Sequence, residues 1–230
     1  MGLRINTNVA AINASRTLRR STTSLNKSLE KLSSGLRINR AADDAAGLAI
    51  AEGFRSIVRG TQVAQRNAQD GISLVQTAEG SLSETTNILQ RIRELAVQSA
   101  NGTQSTTNRQ AIQAEVTQLI AQIDDISTDT EFNGIRVLSV NQTVTLQAGA
   151  QASQTLAITM GGARSADLAV SALSVSSATQ ATSAISTLDL ALRSVNSLRS
   201  TLGAFQNRLE FSINTLAIQE ENSSASESAI

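Results

Sequence analysis

The sequence predicts a mainly α protein: an elongated bundle of long coiled-coil-like helices carrying a small β-hairpin region. Three observations lead there. Apolar residues recur three and four apart over long stretches at both ends of the chain, the signature of narrow helical stripes. Two short central segments alternate apolar and polar residues around turn-forming sequences. The 230 residues include no Cys, His, Trp, Tyr or Pro and only four Phe (Phe54, Phe132, Phe205 and Phe211), so the core must be aliphatic.

The first helix has capping side chains in Asn6-Thr7-Asn8. Apolar residues then recur at Ile5, Val9 and Ile12 and at Ala11, Leu18, Leu25 and Leu32, with Leu29 and Leu36 in the alternate heptad position, which reads as a coiled-coil seam. Ser33-Ser34-Gly35 breaks the heptads, because Gly relaxes the helix and Ser competes for its backbone hydrogen bonds. A second helix is expected from Asp43-Asp44, whose carboxylates suit the positive end of a helix dipole, to Ala100, where Asn101-Gly102 stops it. Its apolar steps are Leu74, Ala78, Leu82, Leu89, Ile92 and Ala96. Unbroken, it would be a rod of roughly 85 Å, longer than a compact globule of this size can hide, and so in need of partners. A third helix follows Thr106-Thr107-Asn108 with a seam of Ile112, Val116, Leu119, Ile123 and Ile126, and should fold back on the second.

"TEFNGIRVLSV" reads as a hairpin with Asn133-Gly134 in a type I′ turn. "TVTLQAG" and "TLAITMGG" form a second hairpin around residues 150–153, with Val144, Leu146 and Ala148 on one face and Leu156, Ile158 and Met160 on one face of the next strand. Residues 161–180, rich in Gly, Ser and Ala, read as a loop or weak strand. Ile185, Leu188, Leu192, Val195, Leu202, Phe205, Leu209 and Leu216 mark a last long helix, after which the composition collapses into "QEENSSASESAI". The expected organisation is a terminal helix and elbow over residues 1–43, two rod helices with the hairpins over 44–180, and a C-terminal rod helix over 181–230.

The chemical inventory is sparse. Without Cys or His there is no thiolate or imidazole to bind metal, serve as a nucleophile or act as a general base. No phosphate-binding Gly-rich loop follows a strand, so neither an enzyme activity nor a cofactor is expected. Lys and Arg (19) balance Asp and Glu (19), and the Arg16, Arg19, Arg20 cluster lacks an aromatic to stack a base, which argues against nucleic acid. Nothing approaches the ~20 apolar residues of a membrane span, and the N-terminus has neither a secretory signal nor, after Gly2, the pattern for myristoylation. Asp43-Asp44 and Asp124-Asp125 are adjacent pairs that point about 100° apart on a helix, so they read as caps or solvated faces. Arg91-Ile92-Arg93-Glu94 is a charged helical patch suited to a solvated face or an interaction surface. Asn101-Gly102-Thr103 fits an N-glycosylation acceptor and, more simply, a helix terminator.

"LSSGLRINRAADDAAGLAI" (residues 32–50) resembles the signature of the N-terminal region of bacterial flagellin. So, in the family's order, do "DGISLVQTAEGSLSETTNILQRIRELAVQSANGT", "IQAEVTQLIAQIDDIS", "TEFNGIRVL" and "LGAFQNRLEFSINTLAIQEENSSASES". Together they cover most of residues 1–138 and 181–230. The resemblance implies a filament subunit whose terminal helices pack into the inner tube. Val9, Ile12, Leu18, Leu25, Leu29, Leu32 and Leu36 would form the assembly seam, and Gly35, Arg37, Arg40, Asp43 and Asp44 the elbow between terminal helix and rod. It implies unfolded export through the flagellar type III apparatus, assembly under the filament cap, and an extracellular location in the flagellum. It also implies recognition of the monomer by Toll-like receptor 5 through Arg91, Leu95 and Glu115, with Arg93 and Gln98 nearby, Arg91 and Leu95 sharing a helix face.

Two departures from the family pattern carry expectations. The linker before Ala181 is short, so outer domains are lacking, and either the filament should be thin and smooth or the sequence is a trimmed form. The chain stops at Ile230, short of the family's C-terminal helix, so the first helix should lack its mate within the subunit and polymerisation should be weakened or lost. A hook-filament junction protein is the nearest rival reading. A protease built into a flagellin scaffold would need a His-bearing zinc motif, and a generic coiled-coil adaptor is the fallback.

Overall fold

A computed structural model describes residues 8–230; Ile5, Asn6 and Thr7 of the expected seam and cap lie outside the described residues. The element order is α1 (Val9–Ser34), α2 (Ala45–Ala100), α3 (Thr106–Asp129), β1 (Glu131–Phe132), β2 (Ile135–Arg136), β3 (Gln142–Gln147), β4 (Thr155–Met160) and α4 (Ala178–Ala229). Two compact units result, one formed by residues up to Val58 together with Glu220–Ile230, the other by Arg59–Gln219. The fold is mainly α with two small antiparallel hairpins.

The larger unit holds the core. Along α2, Ala68, Ile72, Val75, Ala78, Leu82, Leu89, Ile92, Leu95 and Ala96 are buried, against Leu188, Val195, Leu202 and Leu209 of α4. The ion pairs Arg93–Asp189 (2.7 Å) and Arg199–Glu79 (3.6 Å) flank this contact. α3 buries Ile112, Val116, Ile120, Ile123 and Ser127. The stripe therefore runs four, four, three and four, not through Leu119 and Ile126 as expected. Both of those are only half-buried, because a straight helix has 3.6 residues per turn and a strict heptad count drifts off its face. The helix also starts earlier than expected, where the Ser105 side chain accepts a hydrogen bond from the Asn108 N–H (3.2 Å).

The hairpins follow the sequence. Asn133 (φ 50°) and Gly134 (φ 77°) are both left-handed, as a type I′ turn requires. In the second hairpin Val144 pairs with Ile158 and Leu146 with Leu156, and Leu156, Ile158 and Met160 turn into the core. Residues 161–177 contain no strand. They form a loop fastened to α3: the Asp124 carboxylate accepts from the Ser165 N–H (2.8 Å) and hydroxyl (2.7 Å), and Gln113 Oε1 accepts from the Val175 N–H (2.6 Å). Asp124 therefore neither caps a helix nor sits idle on a solvated face. The last helix passes the expected collapse near Gln219 and continues to Ala229, since "QEENSSASESA" contains neither Gly nor Pro to end it.

Candidate functional site

α1 carries no buried residue. Asn8 caps it, its side chain accepting from the Ala11 N–H (3.1 Å), and Gly35 (φ 69°) ends it by donating to the Lys31 carbonyl (3.0 Å). At about 100° per residue, Leu18, Leu25, Leu29 and Leu32 fall within about 60° of one another, joined by Ala11 and Ala14. Their exposures are 69, 59, 53 and 81%. Val9 and Ile12, placed in the same seam from sequence, lie about 160° away, at the end of the face that carries Arg16, Arg20 and Lys27. The two apolar series are offset by two residues, which on a helix puts them on opposite sides. Leu36 lies beyond the helix end. Of the seven predicted seam residues, the structure brings four together.

The elbow is held by local polar bonds. Arg40 Nε donates to Glu30 Oε1 (2.6 Å), Asn39 Nδ2 donates to the same oxygen (2.9 Å), and Lys27 pairs with Asp43 (3.6 Å). Burial pushes the Asp43 carboxyl up. The Arg40 and Asn39 backbone N–H groups and the Lys31 and Lys27 ammonium groups outweigh it, holding the pKa below the ordinary 3.8. Asp44 caps α2 through the N–H groups of Ala46 (3.1 Å) and Gly47 (2.9 Å). A Cβ on Gly47 would lie 2.6 Å from both the Asp44 carboxylate and the Ile38 side chain, so the glycine at 47 is what lets the cap close. Arg55, on the next turns of α2, pairs with Glu227 near the end of α4 (3.0 Å). Arg37 makes no ion pair among the described residues.

On the larger unit, Arg91 lies between Glu115 of α3 (2.9 Å) and Glu94 (3.3 Å), and the hydrogen bonds to Glu115 and then Glu94 raise its pKa. Gln98, about 20° from Arg91 on the helix, is exposed with it. Leu95 lies about 40° from Arg91 on the helix but is 2% exposed, because it belongs to the apolar core stripe of α2, so the exposed surface at Arg91 does not include it. Arg93 is not part of that surface either. It sits about 200° round the helix from Arg91 and pairs with Asp189 of α4. No group of three or more His, Cys, Asp or Glu able to hold a metal, and no helix long and apolar enough to cross a membrane, occurs among the described residues.

Residues 5–143 match the bacterial flagellin N-terminal helical region and residues 185–230 the bacterial flagellin C-terminal helical region. The flagellar filament 33 kDa core protein of Treponema phagedenis is 44% identical over 98% of this chain and 85% of its own. Flagellin of Bacillus subtilis is 44% identical over 99% of this chain and 86% of its own. The crystal structure of Bacillus cereus flagellin superposes with a TM-score of 0.57 at 32% identity, covering 66% of this chain and 88% of its own. Long coiled-coil-like helices, an Asn-Gly hairpin and a capped elbow thus belong to a sequence whose relatives align over nearly its whole length, and the chain belongs to the bacterial flagellin family.

Proposed function

We propose that this chain is a structural subunit of the flagellar filament that assembles through the Leu18, Leu25, Leu29 and Leu32 face of α1, outside the cell after export by the flagellar type III apparatus and under the filament cap. The observation that carries the reading is a helix of 26 residues with a leucine face and no buried residue. Such a face is stabilised by burial, and family membership makes other subunits the partners. Electron microscopy of the purified chain added to sheared filament seeds tests it. More growth of the wild-type protein than of a Leu25→Asp/Leu29→Asp variant, however weak, supports the reading and means that assembly is weakened rather than lost; equal behaviour of the two contradicts it.

A second activity rests on the Arg91 surface. The exposed Arg91, Gln98 and Glu115 form a charged and polar patch across α2 and α3 suited to a protein receptor, and the likeness of "LQRIRELAVQ" to the flagellin motif points to Toll-like receptor 5. Arg91→Ala should lower signalling in a receptor reporter cell line at unchanged thermal stability. An unchanged dose response would remove Arg91 from the contact.

A further inference from the structure

The protein has two Asn-Gly sequences, Asn101-Gly102 at the end of α2 and Asn133-Gly134 in the first hairpin, and all four residues are exposed. Their geometries differ. At Asn101 the side-chain oxygen accepts from the Thr103 N–H (3.2 Å), which polarises the carbonyl and restrains the side chain toward the chain that follows it. The Arg109 guanidinium donates to the Asn101 backbone carbonyl (3.0 Å) and to the Ser99 carbonyl (2.9 Å), placing a fixed positive charge at this turn. The Gly102 N–H has no hydrogen-bond partner among the described residues. At Asn133 no hydrogen bond holds the side-chain amide among the described residues, and the backbone is fixed in a type I′ turn by the β1–β2 pairing of Phe132 with Ile135.

We propose that Asn101 is a built-in site of spontaneous deamidation and that the α2 terminus promotes the reaction, whereas Asn133 is restrained by its turn. A base in solution takes the Gly102 amide proton, and the nitrogen attacks Asn101 Cγ. The oxyanion that forms on Oδ1 is stabilised by the Thr103 N–H, while the Arg109 hydrogen bond to the Asn101 backbone carbonyl draws charge from that peptide and makes the Gly102 N–H easier to deprotonate. Collapse breaks the bond between Cγ and Nδ2 and releases ammonia, leaving a succinimide. Water then opens the ring at either carbonyl to give aspartate or isoaspartate. The product carries a negative charge at the negative end of the α2 dipole, opposed in part by Arg109.

The test is incubation of the whole protein at mildly alkaline pH, folded and in urea, with peptide mass mapping and enzymatic isoaspartate labelling at both sites. The expected result is that, in the folded state, Asn101 converts ahead of Asn133 and at least as fast as in urea. Asn133 level with or ahead of Asn101, no conversion at either site, or faster Asn101 conversion in urea would overturn the proposal. Gly102→Ala is a second arm: Gly102 is not left-handed and a Cβ there meets nothing within 4 Å, so the variant folds. The added methyl hinders the attacking nitrogen, and conversion should slow roughly tenfold; an unchanged rate also overturns it.

Discussion

Leu29→Ala separates a face meant for other subunits from one meant for the subunit's own core. Leu29 is 53% exposed in the isolated subunit. Replacing it removes three carbons, worth about 0.8 kcal/mol each when fully buried; with half of that burial still to come on assembly, about 1.3 kcal/mol is lost per subunit. That corresponds to a rise of nearly tenfold in the critical concentration for elongation from filament seeds. Within the monomer Leu29 belongs to no buried core cluster, and Ala is at least as good a helix former as Leu, so stability should stay within about 0.5 kcal/mol. Leu89→Ala is the contrast: Leu89 is 0% exposed, and its loss should cost the monomer about 2–5 kcal/mol. The assays are pelleting of the protein with seeds over a concentration series and thermal unfolding of the free monomer. A Leu29→Ala monomer that melts as early as Leu89→Ala, with an unchanged critical concentration, would show that the leucine face is closed inside the subunit and refute the reasoning. The four leucines together leave the equivalent of about two and a half side chains exposed, so closing the whole face is worth about 4–8 kcal/mol as an upper figure.

Leu95→Ala should destabilise the free monomer by about 2–5 kcal/mol, while Arg91→Ala, at an exposed ion pair, should change stability by less than about 1 kcal/mol; paired melting curves check this, and any receptor effect of Leu95→Ala then reflects the fold. Asp44→Ala should cost about 0.5–2 kcal/mol and speed hydrogen exchange at residues 46–48, with protection elsewhere on α2 unchanged. The Asp43 carboxyl is lowered in the folded state, so its contribution to stability is present above the unfolded value and lost as pH falls through the folded one. A carboxyl NMR titration should place its midpoint below 3.8, and loosening of the elbow should follow that midpoint; a midpoint at or above the ordinary value would contradict the bonding described.

Long stripes are legible because they repeat: the α2 residues read as apolar steps are all buried, and Asn133-Gly134 forms the turn its sequence calls for. The α1 seam is half legible. Heptad counting recovers the leucine face but cannot place Val9 and Ile12 opposite it without the 100° step of the real helix. Leu95 misleads for a related reason, since four residues of spacing puts it near Arg91 while leaving open which of the two faces the core. The 161–177 loop is held by pairing Asp124 with Ser165 and Gln113 with Val175, partners more than forty positions apart whose meeting no local pattern encodes. The start of α4 carries a signal that apolar periodicity passes over: Ser177 caps through the Gln180 N–H (3.3 Å) and its hydroxyl bonds Gln180 Oε1 (3.0 Å), a Ser-x-x-Gln pattern visible in the sequence.

The most direct test of the central claim is hydrogen exchange of the α1 amides, Val9–Ser34, in the free monomer and after incorporation onto filament seeds. With no buried residue to hold it, α1 should exchange far faster than the core of α2 in the free monomer and gain strong protection on the filament. Protection of α1 equal to that of the core in the free monomer, or no gain on the filament, would contradict the account.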